Sequence, residues 1–264
     1  MEGMILAAGL GTRLRPLTNR IPKALVEVGG RPLLARVVDR LKEAGTERIV
    51  VNTHHHGTQI REYLRKAPPA DVEIVLSTEP GERPLDTGGG LFHAAPLFRE
   101  KGPFFLHNVD VLSEIPLAEV MARHREDRVR WAREPDTRKS GGTNRLVASL
   151  AVQDRDAGRA LLFDEGGLLG WENRGNDRAP VGAFRARDPR GDVRRLAFTG
   201  IHVVEPAIFR LSPRRGAFSV ITLYLELAAE GWIVQPVDVT GREWMDVGTP
   251  HRLEEARKRF GKDG

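Results

Sequence analysis

The 264-residue chain contains no cysteine. Disulfides and thiolate metal sites are therefore excluded. No apolar run approaches the roughly 20 residues that cross a bilayer, so no membrane-spanning helix and no membrane partner are expected. Met1-Glu2-Gly3 leads straight into an apolar stretch without a signal-peptide pattern, and the expected location is cytoplasmic. Internal repeats are lacking, and no Ser-His-Asp arrangement emerges.

The length suits one large domain, 1–264, or one domain with a small appendage. A hydrophobic fraction of 40% is ordinary for a globular chain with a sizeable core. Net charge is +5, which raises a nucleic-acid partner. Residues 123–145 hold eight Arg or Lys against four acids, so this stretch supplies four of the five net charges. The excess is local, and Trp131 is its only aromatic for base stacking. No nucleic-acid partner is expected.

Hydrophobic patterning alternates strands and helices over the first 120 residues. Met4–Ala8, Arg48–Asn52, Val72–Leu76 and Pro103–Asn108 read as buried strands. Leu33, Leu34, Val37, Val38 and Leu41 fall at helical spacing, and Gly45 ends that helix. Ile60, Tyr63 and Leu64 mark a second helix, Leu91–Phe98 a third and Leu117–His124 a fourth. The second half reads as strands at 145–153, 159–163, 196–204 and 233–239, with helices at 220–230 and 251–260. The fold class is α/β: a Rossmann-like, mostly parallel twisted sheet flanked by helices, with a smaller β-rich part.

The most informative stretch is 4–23. Its strand breaks at Gly9-Leu10-Gly11-Thr12-Arg13, where small residues let backbone N–H groups face a concavity suited to phosphate. Arg13, Arg15 and Lys23 bring positive charge to the same place. Pro16 and Pro22 are expected to hold the segment extended. His54-His55-His56 reads as a strand-end loop, because adjacent histidines face different ways.

Leu6-Ala7-Ala8-Gly9-Leu10-Gly11-Thr12-Arg13-Leu14-Arg15-Pro16-Leu17-Thr18 with Pro22-Lys23 resembles the signature of sugar-1-phosphate nucleotidylyltransferases. The likeness continues through Asp86-Thr87-Gly88-Gly89-Gly90, Asn108-Val109-Asp110-Val111 and Trp244-Met245-Asp246-Val247-Gly248-Thr249-Pro250, and so covers nearly the whole chain. Within that family the chain resembles the single-domain N-acetylmuramate 1-phosphate uridylyltransferase branch.

The resemblance implies a set of roles. Arg13 would stabilise the leaving pyrophosphate, and Lys23 would sit near the α-phosphate. Leu6, Ala8, Gly9, Gly11, Thr12, Glu79, Thr87, Gly88 and Asn108 would hold the nucleotide. Asp110 and Asp246 would ligate one Mg²⁺. Trp171, Glu172, Thr199 and Gly200 would hold the sugar phosphate. Residues 1–124 would form a nucleotide-binding half, 125–145 a basic insertion loop, and 146–264 a sugar-phosphate-binding half with the C-terminal helix. The insertion reads as a solvated loop, or else as a basic lid or oligomer contact. The family has Gly before the strand-end Asp where this chain has Val109, which puts the local ribose contacts in doubt.

The implied reaction is Mg²⁺-dependent transfer of a nucleotidyl group from a nucleoside triphosphate, UTP favoured, to a sugar 1-phosphate. It would supply a nucleotide sugar for cell-envelope precursors. Guanylyl transfer to mannose or heptose 1-phosphate and cytidylyl transfer to phosphocholine are alternatives with very similar amino-terminal loops. A non-catalytic nucleotide-sugar sensor or a basic nucleic-acid-binding protein is the alternative of another class. A homo-oligomer is compatible with every one of these readings.

Overall fold

The computed structural model describes residues 1–99, 101–133, 145–175 and 181–261. In chain order the strands are β1 (Glu2–Leu6), β2 (Glu27–Val28), β3 (Arg31–Pro32), β4 (Arg48–Thr53), β5 (Glu73–Thr78), β6 (Phe104–Asn108), β7 (Val111–Ser113), β8 (Leu146–Gln153), β9 (Arg159–Asp164), β10 (Gly167–Asn173), β11 (Gly182–Arg185), β12 (Arg194–Val204), β13 (Ile233–Asp238) and β14 (Trp244–Asp246). The helices are α1 (Leu33–Glu43), α2 (Gly57–Lys66), α3 (Asp86–Ala94), α4 (Leu117–Arg133), α5 (Ile208–Leu211), α6 (Val220–Ala229) and α7 (Pro250–Phe260). They form two compact units: Met1–Leu117 with Arg214–Val220 and Glu243–Gly264, and Ala118–Pro213 with Ile221–Arg242. The segments 214–220 and 243–261 thus pack with the amino-terminal part, although they lie in the carboxy-terminal half of the sequence.

The first unit carries four parallel strands in the order β6-β1-β4-β5. Strands covered on both faces read as continuous apolar runs, and Met4, Ile5, Ile49, Val50, Val51, Phe105 and Leu106 are all fully buried. α1 turns its Leu33-Leu34-Val37-Val38-Leu41 face inward, as its spacing dictates. A second cluster joins Leu14, Val26, Val28, Leu33, Leu112, Met245, Val247, Leu253, Ala256 and Phe260. This cluster fastens the loop after β1 to the β7–β14 pair and to α7. Arg36 reinforces it by donating to the carbonyls of Val28 and Phe260, each at 2.7 Å.

Two local expectations fail. The 12–25 segment is not extended: it makes three single turns of 3₁₀ helix at Thr12–Leu14, Leu17–Asn19 and Lys23–Leu25. Pro16 and Pro22 precede two of these turns, positions where the missing N–H costs nothing. The third helix, expected from Leu91, begins at Asp86 and takes in the glycine run 88–90. Its glycines answer a close approach. Cβ atoms at 88 and 89 would overlap the Phe218 ring and the Gly216 carbonyl, and one at 90 would lie 2.5 Å from Glu79 Oε1.

The second unit is β-rich, in the order β11-β10-β9-β12-β8-β13, antiparallel except for β13 against β8. α4 runs on to Arg133, so 125–133 are helical and not part of a loop. Leu117, Val120, Met121, His124, Asp127 and Trp131 are all buried, which keeps the helical period intact past His124. Burial raises the Asp127 carboxyl above the usual range. Residues 134–144, the rest of the expected insertion up to Arg145, lie outside the described residues.

Gly89→Ala should destabilise the protein by about 1–3 kcal/mol through overpacking against the 216–218 backbone. Gly102→Ala, where a Cβ meets nothing within 4 Å, should be close to neutral. Thermal midpoints of the two variants beside the parent protein check this.

Candidate active site

At the carboxyl ends of β1, β4 and β6 the first unit opens a cavity of about 400 Å³. Ten residues expected at the site line it: Leu6, Ala8, Gly9, Gly11, Thr12, Arg13, Lys23, Thr87, Asn108 and Asp110. Asn52, Pro84, Asp86, Val109 and Gly248 join them. Such a volume suits a small organic ligand.

The loop after β1 is held by local chemistry. Gly11 adopts φ +61°, the left-handed region where a side chain is strained. A Cβ there would also lie 2.9 Å from the Thr18 methyl. Buried Thr18 donates its hydroxyl to the Gly11 carbonyl at 2.8 Å. Leu14, two per cent exposed, anchors the far end of the turn in the core. The loop is therefore a preformed cradle whose shape depends on side chains that never face the cavity.

Charges inside it are arranged in opposed sets. Lys23 Nζ forms an ion pair with Asp110 Oδ2, with both side chains largely covered. Asp246 stands opposite Val111 in the β7–β14 pair, and the Val247 N–H donates to the Asp110 carbonyl at 2.7 Å. Arg13 and Asp246 converge beside Gly248. A Cβ there would meet Arg13 Nη2 at 2.5 Å and Asp246 Oδ2 at 2.8 Å, so a larger residue would have to push these two side-chain ends aside.

Among the described residues no group of three or more His, Cys, Asp or Glu side chains could hold a metal. Asp110 and Asp246, on adjoining backbone, are a two-carboxylate set. Mg²⁺ commonly takes one or two carboxylates and completes its shell with phosphate and water, so these donors fit it.

Other expected residues sit elsewhere. Glu79 is buried and does not line the cavity: Oε1 accepts from Asn52 Nδ2 at 2.8 Å and Oε2 from the Leu85 N–H at 2.6 Å. The N–H of Gly88, a residue expected to hold the nucleotide, donates to the Phe218 carbonyl at 2.8 Å. Thr87 lines the cavity, but its hydroxyl accepts from the Val220 N–H at 2.9 Å.

Trp171, Glu172, Thr199 and Gly200 belong to the second unit. Trp171 and Glu172 are neighbours on β10 and so project to opposite faces. Arg159 lies 5.4 Å over the Trp171 ring, while Glu172 faces Arg174 at 3.4 Å and Arg195 at 3.8 Å. Thr199 is buried and donates to the Ala151 carbonyl at 2.8 Å. Gly200, at φ +86°, lies within a register shift of β12 against β8.

A Ser-His-acid arrangement that the sequence did not disclose also exists in this unit. His124 meets Ser149 Oγ at 2.8 Å and Glu205 Oε1 at 3.1 Å. His124 and Ser149 are both fully buried, so the set has no access to substrate and serves the core. His54–His56 form the loop between β4 and α2, as expected.

His107 lies immediately before Asn108 on β6 and points away from the cavity-lining face. Burial pushes its imidazole down to about 4, although the Asn108 carbonyl at 2.8 Å and the nearby Asp110 oppose this. The folded state thus binds fewer protons than the unfolded chain below pH 6.5. Stability should fall as pH drops from 6.5 to about 4, by roughly 3 kcal/mol in all, and level off below. Urea unfolding of the parent and His107→Gln across this window checks it, because the variant should lose that part of the slope.

The nucleotidyl transferase family model matches residues 2–132. An N-acetylmuramate alpha-1-phosphate uridylyltransferase of Caulobacter vibrioides is 34% identical over 97% of this chain and 96% of its own length. A mannose-1-phosphate guanyltransferase of Yarrowia lipolytica is 38% identical over 95% of this chain and 61% of its own. Among solved structures, HddC from Yersinia pseudotuberculosis complexed with GMP-PN superposes with a TM-score of 0.69 at 20% identity, covering 98% of this chain and 99% of that one. UDP-glucose pyrophosphorylase from Acinetobacter baumanii gives 0.70 at 19%, covering 99% and 93%; these two likenesses speak for the fold alone. With the amino-terminal cradle, the strand-end carboxylate and a relative matched along nearly its whole length, the chain belongs to the nucleotidyl transferase family, as an enzyme of sugar-1-phosphate nucleotidyl transfer.

Proposed function

We propose that the protein transfers a uridylyl group from UTP to N-acetylmuramate 1-phosphate, giving a nucleotide sugar and pyrophosphate. The observation that carries this is the gathering of the Gly9–Arg13 cradle, Lys23, Asp110 and Gly248 around one cavity. The 34% identity to a uridylyltransferase over nearly the whole of both chains supports the nucleotide and the acceptor.

The sugar phosphate oxygen attacks the α-phosphorus. The bond from that phosphorus to the bridging oxygen of the β-phosphate breaks, and pyrophosphate leaves with its electron pair. The attacking oxygen is already anionic near neutral pH, so no side chain needs to remove a proton. Catalysis then rests on alignment and charge. Backbone N–H groups of the Gly9–Arg13 loop hold the triphosphate, and Arg13 neutralises charge on the departing pyrophosphate. Lys23 releases Asp110 and turns to the α-phosphate. Asp110 and Asp246 would hold Mg²⁺, which when bound supplies Lewis acidity and a template for the phosphates.

Guanylyl transfer to mannose 1-phosphate is the second reading, favoured by the 38% identity to a guanyltransferase. A nucleic-acid reading loses its stacking residue, since Trp131 is buried against Leu146 and Ile233.

Pyrophosphate release with Mg²⁺ is the test, crossing four nucleoside triphosphates with N-acetylmuramate, glucose, N-acetylglucosamine, mannose and heptose 1-phosphates. UTP with the muramate acceptor should give the signal; a signal confined to GTP and mannose 1-phosphate would select the second reading. Arg13→Ala and Asp110→Asn should each lower turnover by about 100-fold or more while the proteins stay folded by circular dichroism. Near-normal turnover in either variant would sink the assignment.

A further inference from the structure

Two asparagines flank Leu6 at the ends of three adjacent strands. Leu6 is in register with Asn52 on β4 and with Asn108 on β6, and all three line the cavity. Asn52 is only 1% exposed, and its Nδ2 donates to Glu79 Oε1 at 2.8 Å. Glu79, itself buried, spends its other oxygen on the Leu85 N–H at 2.6 Å. A carboxylate only accepts, so the amide of Asn52 cannot reverse. Its nitrogen is held toward Glu79, and its carbonyl oxygen is left as the acceptor available to a ligand. The same carboxylate ties the end of β4 to the Pro84–Thr87 segment, which carries three cavity residues and no basic one. An acceptor in this position repels phosphate oxygens and suits a donor.

We propose that Asn52 selects the nucleobase and that Glu79 is its positioning residue. The proposal rests on reading the cavity as a nucleoside triphosphate site. The Asn52 carbonyl accepts a ring N–H, as offered by the N3–H of uracil or the N1–H of guanine. Cytosine and adenine present a bare ring nitrogen there, which would leave two acceptors facing each other in a buried place. An unpaired buried acceptor is costly, so discrimination of about tenfold or more is expected.

The experiment measures kcat/KM for UTP, GTP, CTP and ATP by pyrophosphate release, in the parent enzyme and in Asn52→Ala and Glu79→Gln. The N-methyl analogue of the preferred base, N3-methyl-UTP or N1-methyl-GTP, is added to the parent, beside the 2′-deoxy analogue. The analogue arm needs no variant to fold. UTP or GTP should be preferred, and the N-methyl analogue should lose about tenfold or more, mainly in KM. Asn52→Ala should lose as much with the preferred triphosphate and gain with CTP, whose ring nitrogen no longer faces an acceptor, so the ratio of UTP or GTP to CTP should fall about tenfold or more. In Glu79→Gln the new amide satisfies Leu85 only with its carbonyl and turns an N–H toward Asn52. The Asn52 amide then reverses, and the ratio of UTP or GTP to CTP should fall about tenfold.

A merely structural role would lower all four triphosphates alike and overturn the proposal. Full use of the N-methyl analogue would do the same, with loss in the 2′-deoxy analogue assigning Asn52 to ribose instead. Preference for CTP or ATP in the parent enzyme would also overturn it while leaving nucleotidyl transfer standing. Silence with every triphosphate would instead sink the reading on which it rests.

Discussion

The ion pair between Lys23 and Asp110 is the contact on which the site depends. The partners are 87 residues apart in the chain, and they meet only because β1 and β6 are adjacent and in register through Leu6 and Asn108. Both side chains are largely covered, so removing either partner would strand a charge in a place poor in water. The neighbouring elements hold the two ends in place. Thr18 and Leu14 shape the loop that leads to Lys23, and the Val247 N–H fixes the carbonyl of Asp110. The folding of the cradle and the placement of its charges are thus one problem.

Without ligands the cavity neutralises itself. Lys23 faces Asp110, while Arg13 and Asp246 share the space that Gly248 leaves open. Cations of this kind would otherwise repel one another, and the carboxylates likewise. In the proposed reaction each group exchanges its internal partner for an external one, the cations for phosphate oxygens and the carboxylates for Mg²⁺. Such an exchange leaves each protein charge with an opposite partner, which lowers the electrostatic penalty of admitting a polyanion to a partly buried place.

The parallel strands, their order of appearance and the glycine-bearing loop after β1 were legible because their signals are local. A buried apolar pentapeptide followed by Gly-x-Gly-Thr-Arg announces itself within ten residues. What stayed hidden depends on distant partners. The third helix reads from Leu91, yet it starts at Asp86, and its glycines 88 and 89 are there because the chain at 216–218 passes too close for a side chain. The polar, basic stretch from Arg125 onward ended the expected α4 early, although Asp127 and Trp131 within it are buried on the helix's inner face. Asn52 had no local signature, since its meaning comes from Glu79, 27 residues later. Glu79, expected at the nucleotide, is buried with its oxygens on Asn52 and the Leu85 N–H. Trp171 and Glu172 were grouped by the family likeness, and strand geometry sends them to opposite faces of β10.

The reaction proposed for this site is a single displacement at the α-phosphorus, driven by alignment and charge, with no nucleotide carried on the protein. The stereochemical course tests that claim most directly. A nucleoside triphosphate bearing one sulfur on the α-phosphorus, of known configuration, would be turned over with the sugar 1-phosphate that gives a signal. The configuration of the product nucleotide sugar is then read by phosphorus NMR. Inversion is the expected result, because attack and departure lie in line. Retention would require two displacements through a covalent nucleotidyl-enzyme, and it would contradict a site that works by charge and position alone.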